Sequence, residues 1–237
     1  MRRTSTLFIA ISALLLTAVI DVRSQEPRRQ RPPLLTSDDV LAPRSVHSLP
    51  DESISRTGPS GTPLRNARTV LESALTKMGE INSLRTRLQA SMPTGQRDVM
   101  IESIKPDRAH IVSSDGEMIL IGRKFYMKNN AGWQLTSLPA GGAQSDSGLD
   151  FRALVKQMLG KPGVRLTGQV LGTQSIDGVD SIAYEFAITD GSETGTIQVS
   201  IGKEDGYIRR MALSGGALEI KVWFTDINER FSIDPPM

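Results

Sequence analysis

The sequence predicts an α+β domain, mainly β: a strongly curved antiparallel sheet forming an unclosed half-barrel covered by about two helices. Three observations lead there. After residue 81 most apolar residues recur with a period of two, and a period near 3.6 is confined to two segments. The strand-like runs are separated by turn signals such as Asp115-Gly116, Asp177-Gly178, Asp190-Gly191, Asp205-Gly206 and Gly215-Gly216, which favour hairpins and therefore antiparallel neighbours. Two helices cannot cover one face of roughly ten strands unless the sheet curls around them, which leaves a cavity between sheet and helices.

The chain opens with a segment of another kind. Arg2 and Arg3 precede an apolar stretch of 14 residues, Leu7–Ile20, and Val22 and Ser24 occupy the −3 and −1 positions of a small-residue cleavage site. This reads as a secretory signal peptide over 1–24, with cleavage after Ser24 and a periplasmic destination. It is short for a membrane span. The chain has no cysteine, so it has no lipid-attachment cysteine and no disulfide, and burial alone must stabilise it in an oxidising compartment. Removing the leader removes three arginines and Asp21, leaving 25 basic and 25 acidic side chains. The basic balance of the full chain is thus a property of the leader and no reason to expect nucleic acid. Aromatic residues are also too few for base-stacking platforms.

Residues 25–61 hold six prolines and neither period, the composition of a disordered Pro/Arg-rich linker. Asp38, Asp39, Asp51 and Glu52 offset Arg28, Arg29 and Arg31, which weakens a membrane-binding reading of this arm. The folded domain is expected over 62–237, about 175 residues, enough for one substantial core.

The elements follow in order. Thr62 fits an N-cap and Pro63 a first helical position. Leu64, Ala67, Leu71, Ala74, Leu75 and Met78 then repeat at helical spacing up to Gly79. Leu84, Thr86, Leu88, Ala90 and Met92 alternate with Arg85, Arg87, Gln89 and Ser91, a strand with one apolar face. Runs at 97–104, 108–113, 117–122 and 124–128 continue as a meander, and 137–148 reads as a Gly/Ala/Ser loop. Ser147 caps a second helix near 148–160, whose apolar stripe is Phe151, Leu154, Val155, Met158 and Leu159. In the last third Ile182, Tyr184, Phe186 and Ile188 share one face, as do Ile197, Val199 and Ile201. Tyr207, Met211 and Leu213 line up with Arg209, and Leu218, Ile220, Val222 and Phe224 form the clearest apolar face.

No catalytic constellation stands out. His47 falls in the linker and His110 inside a strand pattern, where it reads as an ordinary strand residue, because a metal ligand needs company. No phosphate-cradling glycine loop, nucleophile elbow or calcium loop occurs. The sequence therefore predicts no enzyme, no metal and no cofactor. It offers adaptable apolar surface, with methionines at 78, 92, 100, 118, 127, 158, 211 and 237. Such side chains suit either irregular packing or a cavity for variable acyl chains. Strand parity points Leu88, Met92, Phe186, Val199, Met211, Ile220 and Val222 at the helices, which makes them the candidate cavity lining.

Several short stretches, in order, resemble the periplasmic lipoprotein carrier LolA and its relatives. They are Leu71–Met78 leading into Ser83-Leu84-Arg85-Thr86-Arg87-Leu88; Ile104-Lys105-Pro106-Asp107-Arg108; Ser114-Asp115-Gly116 through Phe125-Tyr126-Met127; Asp205-Gly206-Tyr207-Ile208; and Phe231-Ser232-Ile233-Asp234-Pro235-Pro236. The resemblance spans roughly 64–237. It implies an unclosed β-barrel with a helical lid, enclosing an apolar cavity for lipid or lipoprotein acyl chains. In that family an arginine before the proline works the lid. Here the position is Lys105, a point charge without the guanidinium fork.

Two functions are then expected to compete. The first is a soluble periplasmic carrier of lipid or lipoprotein acyl chains, with transient membrane contact and Lys105 as a lid latch. The second is a non-enzymatic envelope sensor or scaffold that binds a protein partner through residues 25–61. Deleting the arm separates them, since a carrier keeps its lipid binding and a docking module loses its partner.

Overall fold

A computed structural model describes residues 61–93, 95–137, 160, 163–190, 193–215 and 218–236. Twelve strands form one antiparallel sheet that does not close on itself. Their ranges are β1 Thr62–Pro63, β2 Ser83–Met92, β3 Gly95–Ile104, β4 Arg108–Ser113, β5 Gly116–Ile121 and β6 Lys124–Asn129. They continue as β7 Gly132–Ser137, β8 Arg165–Ile176, β9 Val179–Asp190, β10 Glu193–Gly202, β11 Ile208–Gly215 and β12 Leu218–Thr225. Among the described residues one helix, α1, runs over Ala67–Met78. In space the order is β1-β8-β9-β10-β11-β12-β2-β3-β4-β5-β6-β7. Two meanders are therefore joined where the last strand, β12, pairs with β2, setting Val222 opposite Leu88 and Trp223 opposite Arg87. Consecutive strands pair because every connection inside a meander is a tight hairpin.

The start of the helix differs from the sequence reading. Thr62 and Pro63 are not its cap and first turn. They form β1, opposite Val170 and Gln169, and the Leu64 N–H donates to the Gly168 carbonyl at 2.8 Å. A proline is acceptable in such an edge strand, where its missing donor faces no partner. Asn66 is the N-cap, and Gly79 ends the helix as expected. Ala67 then meets the sheet so closely that a Cβ on Gly168 would lie 2.9 Å from Ala67 Cβ and 3.0 Å from the Phe186 ring. Glycine is what allows the helix to dock there. Two strands also went unpredicted, β7 and β8. The second predicted helix lies outside the described residues, apart from Gly160.

The core forms under α1. Leu71 is fully buried, with Ala67, Ala74 and Leu75 beside it. From the sheet come Leu88, Phe186, Ile197, Val199, Ile208, Met211, Leu213, Ile220, Val222 and Phe224. Each such side chain removed from water is worth roughly 1.5–3 kcal/mol before entropic costs. At the far ends of β9 and β10 the expected parity weakens. Ile182, Tyr184 and Ile201 are half-buried, while Ser181 and Ser200 on the other face are almost wholly buried. Polar side chains lie along that face. Gln174 donates to Ser200 Oγ, and Arg209 is only 13% exposed beside Asp205. Arg209 is also the extra residue of a bulge, between Ser200 opposite Arg210 and Ile201 opposite Ile208. It thus leaves the face that Met211 and Leu213 share, and the expected grouping of these residues fails.

Candidate functional site

The seven predicted lining residues divide. Phe186, Met211 and Val222 are completely buried, and Val199, Ile220 and Leu88 nearly so. All six belong to the cluster beneath α1. Met92 is half-buried, at the hairpin end of β2 opposite Gly95. The six buried side chains thus pack against the helix, and Met92 lies outside that cluster.

The same face continues beyond the helix. Two cross-strand rows can be followed. One runs Thr86, Ile101, Ile111, Met118, Met127 and Gln134; the next runs Leu84, Ser103, Ala109, Leu120, Phe125 and Thr136. Ile101 and Ala109 are buried, whereas Ile111, Met118, Leu120, Phe125 and Met127 are half-buried. No residue of β4–β7 belongs to the cluster under α1. The result is an apolar strip on the inner face with two methionines directly opposite each other. The sequence reading singled out these methionines without placing them. Their signal was the pairing of Met118 with Met127 around the turn at Gly122-Arg123, which puts both on one face.

The end of the helix is tied to the sheet beside this strip. The Lys105 ammonium donates to the Gly79 carbonyl, at the cap of α1. This is the contact expected of a basic residue at a helix C-terminus. The Lys105 backbone N–H donates to the Asn82 carbonyl at 2.7 Å, and the Lys105–Pro106 peptide is cis. Met78 Sδ accepts from the Ile208 N–H at 3.3 Å. The terminal segment packs alongside. Ser83 Oγ donates to the Glu229 carbonyl at 2.6 Å, Arg108 to the Ile233 carbonyl at 2.8 Å, and Ile233 is buried. The motif ending in Pro235-Pro236 thus helps fasten the strand ends around Lys105.

The outer face carries a linked row of polar side chains around the buried Ile119, which lies opposite His110. Arg85 bridges Glu102 and Asp226, each at 2.7 Å. Glu102 meets His110 Nδ1 at 3.1 Å, Glu117 meets His110 Nε2 at 3.0 Å, and Lys128 reaches Glu117 at 2.8 Å. Burial pushes the Glu102 carboxyl upward, but hydrogen bonds from His110 and Arg85 outweigh it and hold the group below its ordinary range. The Lys128 hydrogen bond is the largest influence on Glu117. It outweighs partial burial and, with His110, depresses that carboxyl too. Trp223 lies between the guanidinium groups of Arg87 and Arg210, each 5.7 Å from its ring.

Among the described residues no group of three or more His, Asp or Glu side chains is arranged to hold a metal ion. Nor is any described helix long and apolar enough to cross a membrane. The arrangement offers a hydrophobic strip, a tethered helix and a braced outer wall.

No protein-family model matches the sequence, and no curated protein is similar to it in sequence. Solved structures are similar in fold. LprF from Mycobacterium bovis superposes with a TM-score of 0.52 at 13% identity, covering 74% of this chain and 99% of that one. The lipoprotein LppX of Mycobacterium tuberculosis gives 0.48 at 15% identity, covering 70% and 97%. At these identities the likeness is one of fold. The superposition on LprF agrees with the half-barrel that the motif resemblance implied.

Proposed function

We propose that this protein is an exported, non-enzymatic binding or carrier protein of the cell envelope that holds lipid or lipoprotein acyl chains against the inner face of its half-barrel. The observation that carries this reading is the half-buried strip around Ile111, Met118, Leu120, Phe125 and Met127. A face that is apolar yet outside the helix-centred core has surface left for a ligand. Thioether side chains adapt to chains of varied length and unsaturation. The leader over 1–24, the half-barrel and the motif resemblance all support the same reading. Leu88, Phe186, Val199, Met211, Ile220 and Val222 then form the floor on which the helix rests, with Met92 at its rim. The acyl chain lies beyond them.

Lys105 has the role of a latch in this scheme. Its hydrogen bond to Gly79 holds the helix end beside the turn that follows β3. Releasing that bond would let the helix swing and widen access to the strip.

The experiment is direct. The protein, purified without detergent, is extracted and its lipids identified by mass spectrometry, and a fluorescent fatty-acid probe is titrated into the delipidated protein. Saturable probe binding, displaced by fatty acid and weakened by Met127→Asp, is the expected result. Protein that purifies empty and takes up no acyl probe would overturn the reading.

A further inference from the structure

The two edges of the sheet are built differently. At one edge β8 is shielded by β1, which places Pro63 opposite Gln169, and β8 carries a bulge between Val170 and Gly172. Short cover strands, edge prolines and bulges are the devices by which sheets avoid edge-to-edge association. At the other edge β7 has none of them. Its residues, Gly-Trp-Gln-Leu-Thr-Ser, include no charge and no proline, and its register with β6 is unbroken. Among the described residues only β6 pairs with it. Leu135 is 57% exposed.

Asn129 faces Gly132 across a two-residue turn. Alternate residues of an antiparallel strand point their backbone groups to opposite sides, so Gln134 directs its N–H and C=O toward β6, while Trp133 and Leu135 direct theirs to the open edge. By the same alternation the Trp133 and Leu135 side chains lie on the outer face of the sheet and Gln134 on the inner one.

We propose that β7 pairs antiparallel with β7 of a second copy of this chain, in a register centred on Gln134, so that two half-barrels share one continuous sheet. The strand itself argues for this occupant. A two-fold axis at Gln134 sets Trp133 opposite the partner's Leu135, and Leu135 opposite the partner's Trp133, which gives two aromatic–aliphatic cross-strand pairs on the outer face. The same register joins backbone groups that point outward on both strands and keeps inner and outer faces continuous. It brings no like charges together within the strand. Two lysines of β6 lie opposite this strand: Lys128 is engaged by Glu117 at 2.8 Å and by the Trp133 ring at 5.7 Å, and Lys124 stands opposite Ser137 at the strand's end. An isologous contact of this kind closes at two copies.

The absence of cysteine makes the test clean. Opposed residues in a non-hydrogen-bonded antiparallel pair have Cα atoms about 4.5 Å apart, within disulfide reach. The full chain without its leader is studied by sedimentation velocity over a wide concentration range and by oxidation of single-cysteine variants. The expected results are a mass rising to twice the monomer and a covalent dimer from Gln134→Cys. No covalent dimer is expected from Val112→Cys, an exposed control on β4 away from the edge. Leu135→Lys should weaken self-association by at least about tenfold, by placing two charges at the open edge. A monomer at every concentration, or equal crosslinking by both cysteine variants, would overturn the proposal. If Leu135→Lys fails to fold, the cysteine pair still decides. Acyl-probe binding measured on Leu135→Lys and Val112→Cys, both on the outer face away from the strip, is independent of this contact and should persist.

Discussion

The strands beneath the helix and the strands beyond it follow one alternation but fill their inner face differently. Under α1 the inner residues are Phe186, Ile197, Val199, Leu213, Ile220, Val222 and Phe224, none more than 6% exposed. In β4–β6 the inner residues are Ile111, Met118, Leu120, Phe125 and Met127, all half-buried. Branched and aromatic side chains have few rotamers and lock against one helix. Methionines have three rotatable bonds and tolerate a changing neighbour. Apolar periodicity therefore marks which face is inside, and burial under the helix, where Met211 is as enclosed as its branched neighbours, separates the core from the half-buried strip.

The largest expected effect tests that contrast directly. Val222→Asp or Val199→Asp places an unpaired carboxylate under the helix, where nothing can hydrogen-bond it. Such variants should lose about 4 kcal/mol or more, or fail to fold. Met127→Asp, on the same face beyond the helix, should stay folded, because its carboxylate can remain in water. Gln198→Ala, on the outer face of β10 beside Val199, gives the polar-side control, since an acid there would face the Glu185 carboxylate that Gln198 meets at 2.8 Å. Thermal melts followed by circular dichroism give the ranking. If Met127→Asp and Val222→Asp were equally damaging, the two regions would be one core and the distinction would collapse.

A gentler pair of truncations sharpens the same point. Met118→Ala with Met127→Ala removes flexible apolar bulk from half-exposed positions. Stability should fall by about 2 kcal/mol or less, below the usual cost of fully buried truncations, while acyl-probe affinity falls about tenfold, the scale expected from losing a few buried methylene contacts. Leu213→Ala under the helix should show the reverse: a large loss of stability, and no loss of probe affinity at temperatures where it remains folded.

Much of this was legible in the sequence, for identifiable reasons. The alternation in Leu218–Phe224 and in Leu84–Ala90 survives intact because neither strand is bulged, and the helix ends at Gly79 as expected, although Gly79 keeps a right-handed backbone there. Thr62-Pro63 misled because the same two residues suit a helix start and an edge strand, and only the pairing with β8 decides. β8 is hard to read because Gly168, Gly172 and a bulge interrupt its apolar pattern: Gly168 makes room for Ala67 of the helix, a contact invisible locally, and Gly172 takes a φ of +140° at the bulge. β7 is hard to read because its brief alternation, Trp133 and Leu135 against Gln134 and Thr136, puts the apolar side chains on the outer face and not in a core. Arg209 seemed aligned with Met211 because a bulge cannot be counted from one strand alone. The half-buried strip is not legible for a deeper reason: parity locates a face, but where a helix ends over that face is set by packing.

A smaller effect is expected at the hinge between the two regions. Lys105→Leu removes the donor to the Gly79 carbonyl from an exposed position. Stability should change by no more than about 0.5 kcal/mol, as for most surface substitutions. Stopped-flow release of the acyl probe should nevertheless quicken several-fold. Lys105→Arg should slow release, since a planar fork can engage more than one carbonyl at once. Unchanged exchange in both variants would leave the helix as a fixed cover with no latch.

The smallest effect concerns the outer wall of the strands beyond the helix. There the inner face lacks a helix-centred core, and ion pairs and hydrogen bonds cross the strands instead, from Asp226 through Arg85, Glu102, His110 and Glu117 to Lys128. Glu102 and Glu117 titrate below their ordinary value of 4.5 in the folded protein. A depressed carboxylate means that the unfolded chain binds protons more readily than the folded one. The stability these groups supply is therefore fully present above about pH 4.5 and is lost as pH falls through their depressed values. Both side chains are more than a fifth exposed, so solvent screening limits each to about 1 kcal/mol or less. Melts compared between neutral pH and about pH 3 should show a drop that Glu102→Gln and Glu117→Gln each reduce, because the substituted group no longer titrates. Added salt should shrink the difference between wild type and variants. Hydrogen exchange should locate the loss in β3–β6, leaving the amides of β9–β12 protected, because only the strands beyond the helix lean on this network. Uniform loss across both regions would mean that the wall and the core unfold as one unit.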